Sequence, residues 1–547
     1  MLEFALVLLV QLFEDSSAVS GLKGEPGAAV AFVDIDADGA PDVVVEKTKI
    51  FLNRGGKFVK AGELPKSARD YSGMQAGDVN GDGFPDLVLL RITDPRNPSF
   101  KEDGLRNELW IGDGKGGFTR KESGIETYAE SSISACFLDY DRDGRLDLFV
   151  ANAFDDWSRG ERAHPSRLFR GRGDGTFEDV TEKAGLLLKD APGDDPKARR
   201  PAFGVTHTDW DNDGWQDILV CTYGRQANRL WRNNRDGTFT DVAAETTFDG
   251  DDDRSGAYTD EVKELFRRRH GRPIGDEPAW RSHGNTFDAG VADVDGDGDM
   301  DVFLGTIQHW WAGPSSDRSV LLVNQGVAGG WKFKRAADAI RRVVPEKNWD
   351  LGDQHVGWLD VDNDGRLDLV IAMSDYPEGQ YLRLWRQNGD GTFDDWTEKL
   401  GFLWEAASQI SFGDFDRDGA TDILVGTKGM RLPPEKLKTK DMSVGLWRNR
   451  AAAVAGNRFL SLRLGGRAVG ARVTVVTGAS RQIREVYGGL GLAGHRDDEE
   501  CRFGVAKAER VDAVIVRWPD GETETFEDVG TNRHYALEKH GALRIVK

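Results

Sequence analysis

Residues 139–147 read Asp-Tyr-Asp-Arg-Asp-Gly-Arg-Leu-Asp, and this nine-residue pattern decides the fold. One apolar run precedes it at residues 134–138, and another follows it at residues 148–150. The arrangement Asp-x-Asp/Asn-x-Asp-Gly-x-x-Asp between two apolar runs occurs seven times in the 547 residues. The copies place the following residues at positions 1, 3, 5, 6 and 9: Asp34, Asp36, Asp38, Gly39, Asp42; Asp78, Asn80, Asp82, Gly83, Asp86; Asp139, Asp141, Asp143, Gly144, Asp147; Asp209, Asp211, Asp213, Gly214, Asp217; Asp293, Asp295, Asp297, Gly298, Asp301; Asp360, Asp362, Asp364, Gly365, Asp368; Asp414, Asp416, Asp418, Gly419, Asp422.

The four acidic or amide side chains of each copy predict a calcium site. Because carboxylates at such short spacing repel one another, a folded loop of this kind requires a cation or open water. Calcium takes six to eight oxygen ligands, and positions 1, 3 and 5 of a turning loop can direct oxygens at one centre. Glycine at position 6 tolerates a positive φ, so the carbonyl of position 7 and the aspartate of position 9 can close the shell. Magnesium fits less well because it requires stricter octahedral geometry.

A simpler interpretation is that aspartate and glycine only form turns. This explains a single copy as well as metal binding does, but a turn needs only one or two such residues. Because all seven copies keep all four ligand positions, the sequence favours Ca²⁺ as the cofactor, with up to seven ions.

Charge and hydropathy exclude several classes of protein. The formal net charge of −21 argues against a nucleic-acid partner, because phosphate binding needs a basic surface. Residues 1–11 form an apolar leader that is too short for a transmembrane span and could be the remnant of a secretion signal. Cys136, Cys221 and Cys501 lie in apolar runs without the spacing of a zinc site or a disulfide framework, so we expect buried packing residues.

The repeat unit predicts four antiparallel strands. Strand A precedes the acidic loop, strand B follows it, strand C ends in an apolar-aromatic pair such as Leu168 and Phe169, and strand D begins after an Asp-Gly hairpin. Seven such units predict an all-β fold, a seven-bladed β-propeller with four-stranded blades. The seventh unit lacks strand D, but residues 12–17 resemble the strand D segment 176–181. The N-terminal strand should therefore close the last blade.

Loop lengths differ between the two rims of the predicted disc. The A-to-B and C-to-D loops share one rim and are nearly constant in length, whereas the other rim, the long-loop rim, carries all the long insertions. Variable loops on a rigid scaffold commonly carry binding sites. In the longest insertion, residues 259–270 predict a helix capped by Thr259. The insertions span residues 92–106, 153–166, 187–202, 249–285, 307–318, 338–353 and 428–443.

The acidic loops and their flanking strands resemble the FG-GAP/VCBS repeats of integrin alpha-subunit heads and secreted bacterial proteins, over residues 12–450. After a linker at 451–456, residues 457–547 resemble the ASPIC/UnbV domain, a small C-terminal β-rich domain. Together the two parts resemble the cartilage acidic protein family. The motifs of the second part are Asn457-Arg458-Phe459-Leu460, Gly470-Ala471-Arg472-Val473, Arg484-Glu485-Val486, Phe503-Gly504 and Trp518-Pro519-Asp520-Gly521.

The resemblance implies an extracellular or cell-envelope calcium-binding protein whose repeat aspartates are the ligands, and it supplies no catalytic residues. We expect a binding or adhesion scaffold that presents the long-loop rim to a protein or a glycan. The alternative is a lectin, or a carbohydrate-active lyase or hydrolase near the central channel. Candidate bases or metal ligands are His207, His283, His309 and His355; candidate sugar-stacking residues, which could equally cover apolar surface, are Trp157, Trp280, Trp310, Trp311, Trp349 and Trp404.

Overall fold

The computed structural model describes residues 12–65, 70–93, 105–155, 162–190, 195, 197–275, 281–308, 316–342, 351–376, 379–401 and 403–546. The described chain is all-β, as predicted, and seven antiparallel sheets, six of four strands and one of five, correspond to the seven repeat units. We number these sheets as blades 1 to 7 in chain order. The strands of blades 1 to 3 are β2 (Val30–Val33), β3 (Asp42–Val45), β4 (Lys49–Asn53) and β5 (Phe58–Glu63); β6 (Met74–Gly77), β7 (Asp86–Leu89), β8 (Glu108–Gly112) and β9 (Phe118–Lys121); β10 (Ser132–Leu138), β11 (Asp147–Asn152), β12 (Arg167–Gly171) and β13 (Phe177–Asp179).

The remaining blades follow the same order. Blade 5 has one additional short strand, β22, which pairs with its second strand. The strands of blades 4 to 7 are β14 (Ala202–Thr208), β15 (Asp217–Thr222), β16 (Arg229–Asn233) and β17 (Phe239–Asp241); β18 (Asn285–Ala292), β19 (Asp301–Gln308), β20 (Val320–Asn324), β21 (Phe333–Ala336) and β22 (Leu351–Gly352); β23 (His355–Leu359), β24 (Asp368–Ser374), β25 (Tyr381–Gln387) and β26 (Phe393–Asp395); β27 (Ala407–Gly413), β28 (Asp422–Thr427) and β29 (Gly445–Asn449), completed by β1 (Phe13–Asp15).

Burial accounts for the different composition of inner and outer strands. Every residue of β10 and β11 is buried, whereas in β13 only Phe177 is buried. Strands covered on both faces require continuous apolar runs, while a short outer strand needs only one anchoring aromatic residue. The aromatic residues at the ends of the third strands, such as Trp231 and Trp385, are buried as predicted.

Apolar clusters between neighbouring blades hold the ring together, with one cluster at each of the seven junctions. At the junction of blades 7 and 1, Phe32 packs in a cluster with Phe415 and Leu424. Hydrogen bonds close the ring as well, because β1 pairs with β29 and places Phe13 opposite Asn449. The prediction that an N-terminal strand completes the last blade is confirmed.

Two further sheets follow the propeller and share one apolar core that includes Leu462, Val514 and Trp518. All their strands pair antiparallel except β30 and β36, which are parallel. We call these sheets the C-terminal module; its β-rich character is confirmed, while the boundaries 12–450, 451–456 and 457–547 stay a prediction. The sheet orders are β33 (Cys501–Gly504), β30 (Phe459–Leu464), β36 (Arg533–Leu537) and β37 (Arg544–Val546) in one, and β32 (Ser480–Glu485), β31 (Arg472–Thr477), β34 (Arg510–Arg517) and β35 (Thr523–Gly530) in the other.

The C-terminal module lies on the rim that carries the acidic loops, and residues 486–499 enter the central channel. We call this segment the plug. Its backbone N–H at Gly491 donates to the carbonyl of Val205 in blade 4 at 2.9 Å. The guanidinium of Arg496 donates to the carbonyl of Ala76 in blade 2 at 2.6 Å, and the N–H of Asp498 donates to the carbonyl of Phe412 in blade 7 at 3.0 Å. The plug is therefore bonded to strands on different sides of the channel.

The tip of the plug reaches the end of the channel that faces the long insertions. Leu492 packs there with Phe154, Phe203 and Phe287, which lie near the starts of their strands or in the insertions. The sequence left open whether the C-terminal module packs on the propeller. The structure shows that it does, and that it fills the channel.

Four short helices complete the described chain: α1 (Ala243–Thr246), α2 (Asp260–His270), α3 (Pro434–Leu437) and α4 (Ala451–Ala455). The predicted helix in the longest insertion is confirmed as α2, and the hydroxyl of Thr259 accepts from the N–H of Val262 as its cap. The predicted linker at 451–456 contains α4, whose first two alanines are buried. The predicted leader at residues 1–11 and parts of most long insertions lie outside the described residues.

Candidate functional site

The seven acidic loops share one backbone conformation. The glycine at position 6 has a φ between 77° and 99° in every copy, as predicted. Position 4 also has a positive φ in every copy, although it is a glycine only at Gly81 and Gly296. At Ala37 and Arg142 this conformation costs roughly 1–2 kcal/mol for an L-residue. The sequence did not reveal position 4, because its residue type varies.

Backbone N–H groups of each loop point at its carboxylates. The position 5 carboxylate accepts from the N–H of position 7 at 2.8–3.0 Å in all seven copies. At position 1, Asp139 accepts from the N–H groups of Asp143 and Gly144, both at 3.0 Å. The protein's own hydrogen bonds therefore hold the loop in its turning conformation.

The aspartate at position 9 joins the acidic loop to the third strand of its blade. In every copy, one oxygen accepts from the N–H of position 2 and the other from the N–H at the end of the third strand. Across the seven copies, the nitrogen–oxygen distances of these two bonds lie between 2.6 and 3.3 Å. Position 9 thus has a structural task in addition to its predicted role as a ligand.

Burial raises the pKa of the loop carboxyls. The pKa of position 9 rises to about 7 in Asp42 and Asp86 and to about 8 in Asp301, and neighbouring loop aspartates add to the rise. At position 1, burial raises the pKa of Asp139 and Asp293 to about 6. These raised pKa values mean that burial and the neighbouring carboxylates disfavour the ionised form of each loop aspartate. A bound divalent cation would stabilise the ionised form.

Carboxylate oxygens converge in the loops, as a metal site requires. In at least five loops, three oxygens from different aspartates lie within 4.8 Å of one another. These groups contain no histidine or cysteine, so the donor set fits a hard cation such as Ca²⁺ better than zinc. The five groups are Asp34, Asp36 and Asp38; Asp139, Asp141 and Asp147; Asp209, Asp211 and Asp217; Asp293, Asp295 and Asp297; and Asp360, Asp362 and Asp364.

Several loop oxygens are buried and have no hydrogen-bond partner. They belong to position 3 in three blades and to position 1 in two others. A buried carboxylate oxygen without a partner is costly, so these atoms are suited to a bound cation. They are Asp36 Oδ1, Asp362 Oδ1 and Asp416 Oδ1 at position 3, and Asp209 Oδ1 and Asp293 Oδ2 at position 1.

Arginine side chains supply part of the missing positive charge. In five loops, an arginine near the end of the third strand contacts the carboxylate of position 3 or 5. The loops of blades 2 and 5 have no such arginine partner within the part of the chain that the structure describes. The five arginines are Arg54, Arg170, Arg235, Arg386 and Arg448.

The C-terminal module brings further arginines to the acidic rim. Arg463 forms an ion pair with Asp34, and Arg472 lies 3.8 Å from Asp209. Arg467 donates to the carbonyl of Gly144 at 2.8 Å. The sequence did not predict these contacts, because they join residues more than 250 positions apart.

The candidate histidines have separate partners. His207 is buried and bonds to a glutamine and to the plug. His283 lies 3.0 Å from an arginine guanidinium, and burial lowers the pKa of His283 and of His355 to about 3. The ring of His355 contacts His495, at 6.4 Å between centroids. Within the described residues, no hydrogen bond or ring contact joins any two of His207, His283 and His355, and His309 lies outside those residues.

The candidate tryptophans are largely untested by the structure. Trp404 packs edge-on against Trp447, with centroids 5.8 Å apart, and donates to Thr427 Oγ1 at 3.1 Å. It therefore belongs to the packing of blade 7. Trp157, Trp280, Trp310, Trp311 and Trp349 lie outside the described residues. The three cysteines are buried and free, as predicted.

Two solved structures have a low similarity to this chain in both sequence and fold. The V. cholerae biofilm matrix protein Bap1 is 11% identical with a TM-score of 0.27, and the match covers 78% of this chain and 63% of that one, less than two thirds. A protein from Lactobacillus plantarum is 9% identical with a TM-score of 0.40, and the match covers 73% and 89% of the two chains. TM-scores this low carry no argument about fold or function. In the described residues, the helices are all too short or too polar to cross a membrane.

Comparisons of sequence agree with the architecture. The FG-GAP-like repeat model matches residues 209–260 and 360–425, and the ASPIC and UnbV model matches residues 465–544. Cartilage acidic protein 1 of Xenopus tropicalis is 24% identical over 537 residues, covering 91% of this chain and 71% of that protein. The Homo sapiens protein is 24% identical over 530 residues, covering 90% and 69%. The chain thus contains FG-GAP-like repeats followed by an ASPIC and UnbV domain, and it is similar over most of its length to cartilage acidic protein 1.

Proposed function

We propose that this protein is a calcium-binding, extracellular or cell-envelope β-propeller that acts as a binding or adhesion scaffold. The observation that carries this proposal is the set of buried, unpartnered carboxylate oxygens in the acidic loops. The similarity to cartilage acidic protein 1 supports the location outside the cell.

Calcium in these loops has a structural role in this proposal. The side chains of positions 1, 3, 5 and 9 would hold the ion, which would supply the positive charge that the carboxylates lack. Because the loop geometry exists only in the folded chain, binding adds RT ln(1 + [Ca]/Kd) to stability, about 2.7 kcal/mol per site at a hundredfold excess over Kd. The loops of blades 2 and 5, for which the described residues supply no arginine at the end of the third strand, should depend most on the ion.

The test is thermal unfolding of the full chain with calcium and with a chelator, together with elemental analysis of bound calcium after dialysis. We expect chelation to lower the melting temperature by many degrees. Asp297→Asn should remove about one ion per chain because it replaces the ligand carboxylate at position 5 of blade 5, where every copy of the pattern has an aspartate. Asp236→Asn, in an exposed hairpin turn, is the matched control and should change neither quantity. A melting temperature that is insensitive to the chelator, with no calcium bound, would contradict the proposal.

We further propose that the partner, a protein or a glycan, binds the long-loop rim. The support for this is that the C-terminal module covers the acidic rim, which leaves the other rim available for contact. Binding of the full chain to protein and glycan arrays, with and without calcium, tests this. The contrary result is a partner that fails to bind variants of the C-terminal module and still binds variants of the α2 insertion. That result would contradict the assignment of the binding surface to the long-loop rim.

A further inference from the structure

A cavity of about 140 Å³ lies between the C-terminal module and the propeller. The channel-lining strands of blades 5 and 6 form one wall, and β32 with the plug forms the other. Glu499 also lines the cavity, and its side chain is 41% exposed, so the cavity reaches solvent at that end. Neither calcium binding in the acidic loops nor partner binding at the long-loop rim makes use of this cavity.

Arg484 presents an unpaired cation to this cavity. Its Nη1 donates to the carbonyl of Ile483 at 2.8 Å, while its Nη2 is buried and has no hydrogen-bond partner. Among the described residues, no carboxylate forms an ion pair with Arg484. Asp360 also lines the cavity, but its oxygens accept backbone N–H groups of its own loop. Arg484 is half-buried, and its guanidinium lies 5.2 Å from the ring centroid of Phe503, so an aromatic face and not a carboxylate stands beside its charge. A guanidinium in this state can accept an anion as a ligand.

The other charged residues of the lining are already paired with one another. Their partners lie within the C-terminal module, where Asp498 and Glu500 share one guanidinium, so these carboxylates leave no arginine of their own free for a ligand. The pairs are Glu485 with Arg472, Glu499 with Arg496, Asp498 and Glu500 with Arg502, and Asp497 with His495. Arg484 is thereby distinguished from the other arginines of the lining, Arg496 and Arg502.

The rest of the lining indicates what kind of anion fits. Trp358 Nε1 is a second buried donor without a partner, whereas Val291, Val356 and Leu490 provide apolar surface. An inorganic anion would leave this apolar surface without contacts. The volume is close to that of a cavity of about 150 Å³ that holds benzene, which limits a ligand to a few heavy atoms and excludes nucleotides and oligosaccharides.

We propose that this cavity binds a small organic carboxylate. The planar guanidinium of Arg484 matches a carboxylate in a two-bond arrangement, and the hydrocarbon part of the ligand lies against the apolar wall. The inference does not depend on calcium in the acidic loops, so failure of the calcium experiment would leave it intact.

The experiment is titration calorimetry and thermal unfolding of the full chain with butyrate and benzoate as probes. Butyramide and benzamide, which have the same shape without the charge, are the matched ligands, and sulfate tests an inorganic anion. We expect the two carboxylates to bind and raise the melting temperature. The amides and sulfate should bind at least tenfold more weakly.

Variants separate recognition from folding. Arg484→Gln should abolish carboxylate binding, while Arg481→Gln, an exposed arginine on the same strand, should leave it unchanged. Trp358→Phe keeps an aromatic side chain and removes the indole N–H donor, so it should weaken binding by about fivefold even if Arg484→Gln fails to fold. Equal binding of acids and amides, binding unaffected by Arg484→Gln or Trp358→Phe, or absence of carboxylate binding would overturn the proposal.

Discussion

Asp217, at position 9 of blade 4, shows that an aspartate of the acidic loop contributes to structure without an ion. It is fully buried and accepts from the N–H of Trp210 at 3.3 Å and of Asn233 at 2.8 Å. The first bond lies within the loop and the second reaches the end of β16. The repeat pattern alone does not separate this task from metal binding.

Asp217→Asn should therefore destabilise the protein even in calcium-free buffer. An amide has only one acceptor oxygen, so one buried N–H loses its partner, at a cost of about 1–3 kcal/mol. The measurement is thermal unfolding in the presence of a chelator. Asp236→Asn is the control, because its remaining oxygen can still accept from Thr238. Identical melting temperatures for the two variants would contradict a structural role.

Asp317 provides a pH dependence outside the proposed metal sites. Burial raises its pKa from 3.8 to about 7, and its Oδ1 has no hydrogen-bond partner. Between pH 4 and 7 the folded state holds a proton that the unfolded state has lost. The contribution of this group to stability therefore falls as the pH rises through this window.

Asp317→Asn should remove this penalty, since an amide remains neutral at every pH. We expect the melting temperature of the variant to exceed that of the parent at pH 8, and the difference to shrink toward pH 5. Melting curves over this range are the measurement. A difference that is constant with pH would show that Asp317 does not titrate as described.

At the scale of elements, β1 secures a ring that is otherwise open on one side of blade 7. Phe13 is fully buried and packs in the cluster between blades 6 and 7. The neighbouring residue Glu14 is exposed, so a single side chain carries most of the apolar contact of this strand.

Phe13→Ala should lower the free energy of unfolding by about 3–5 kcal/mol, because it removes a large buried side chain and leaves a cavity. Val19, which is 72% exposed, gives the control Val19→Ala with little expected change. Chemical denaturation monitored by tryptophan fluorescence measures both. A small effect of Phe13→Ala would mean that the ring closes without β1.

Local patterns explain how much of this fold the sequence could predict. The blades could be predicted because each strand is a continuous run of residues with its own pattern. The role of β1 could be predicted because Phe13-Glu14-Asp15 matches Phe177-Glu178-Asp179 of blade 3. The plug could not be predicted, since its bonds to Val205 and Ala76 join distant parts of the chain and its sequence has no periodicity. The arginines that the C-terminal module brings to the loops could not be predicted for the same reason, and the choice of cation stays a prediction.

At the scale of the whole molecule, the plug couples the C-terminal module to several blades of the propeller. Gly491 lies at its centre with a φ of 78°, and a Cβ there would lie 1.4 Å from Asp288 Oδ1. Gly478 also has a positive φ, 58°, but a Cβ there would meet no atom within 4 Å. The two glycines share the backbone conformation and differ in available space.

Gly491→Ala should therefore displace the plug, while Gly478→Ala should cost only the backbone strain of about 1 kcal/mol. Hydrogen exchange of residues 486–499 is the measurement. We expect protection similar to that of the blade strands in the parent and in Gly478→Ala, and faster exchange in Gly491→Ala. Equal protection in both variants would show that the channel tolerates the added methyl group.

The position of the plug in the chain also determines the order of events during synthesis on the ribosome. The strand that closes the ring, β1, emerges first, and its partner β29 follows more than 400 residues later. β1 therefore stays unpaired until blade 7 has been made, and the bore stays hollow until the plug, which emerges after both strands, has followed. Ring closure and filling of the bore are therefore late steps, and a chain that stalls before residue 486 would expose apolar surface that chaperones recognise.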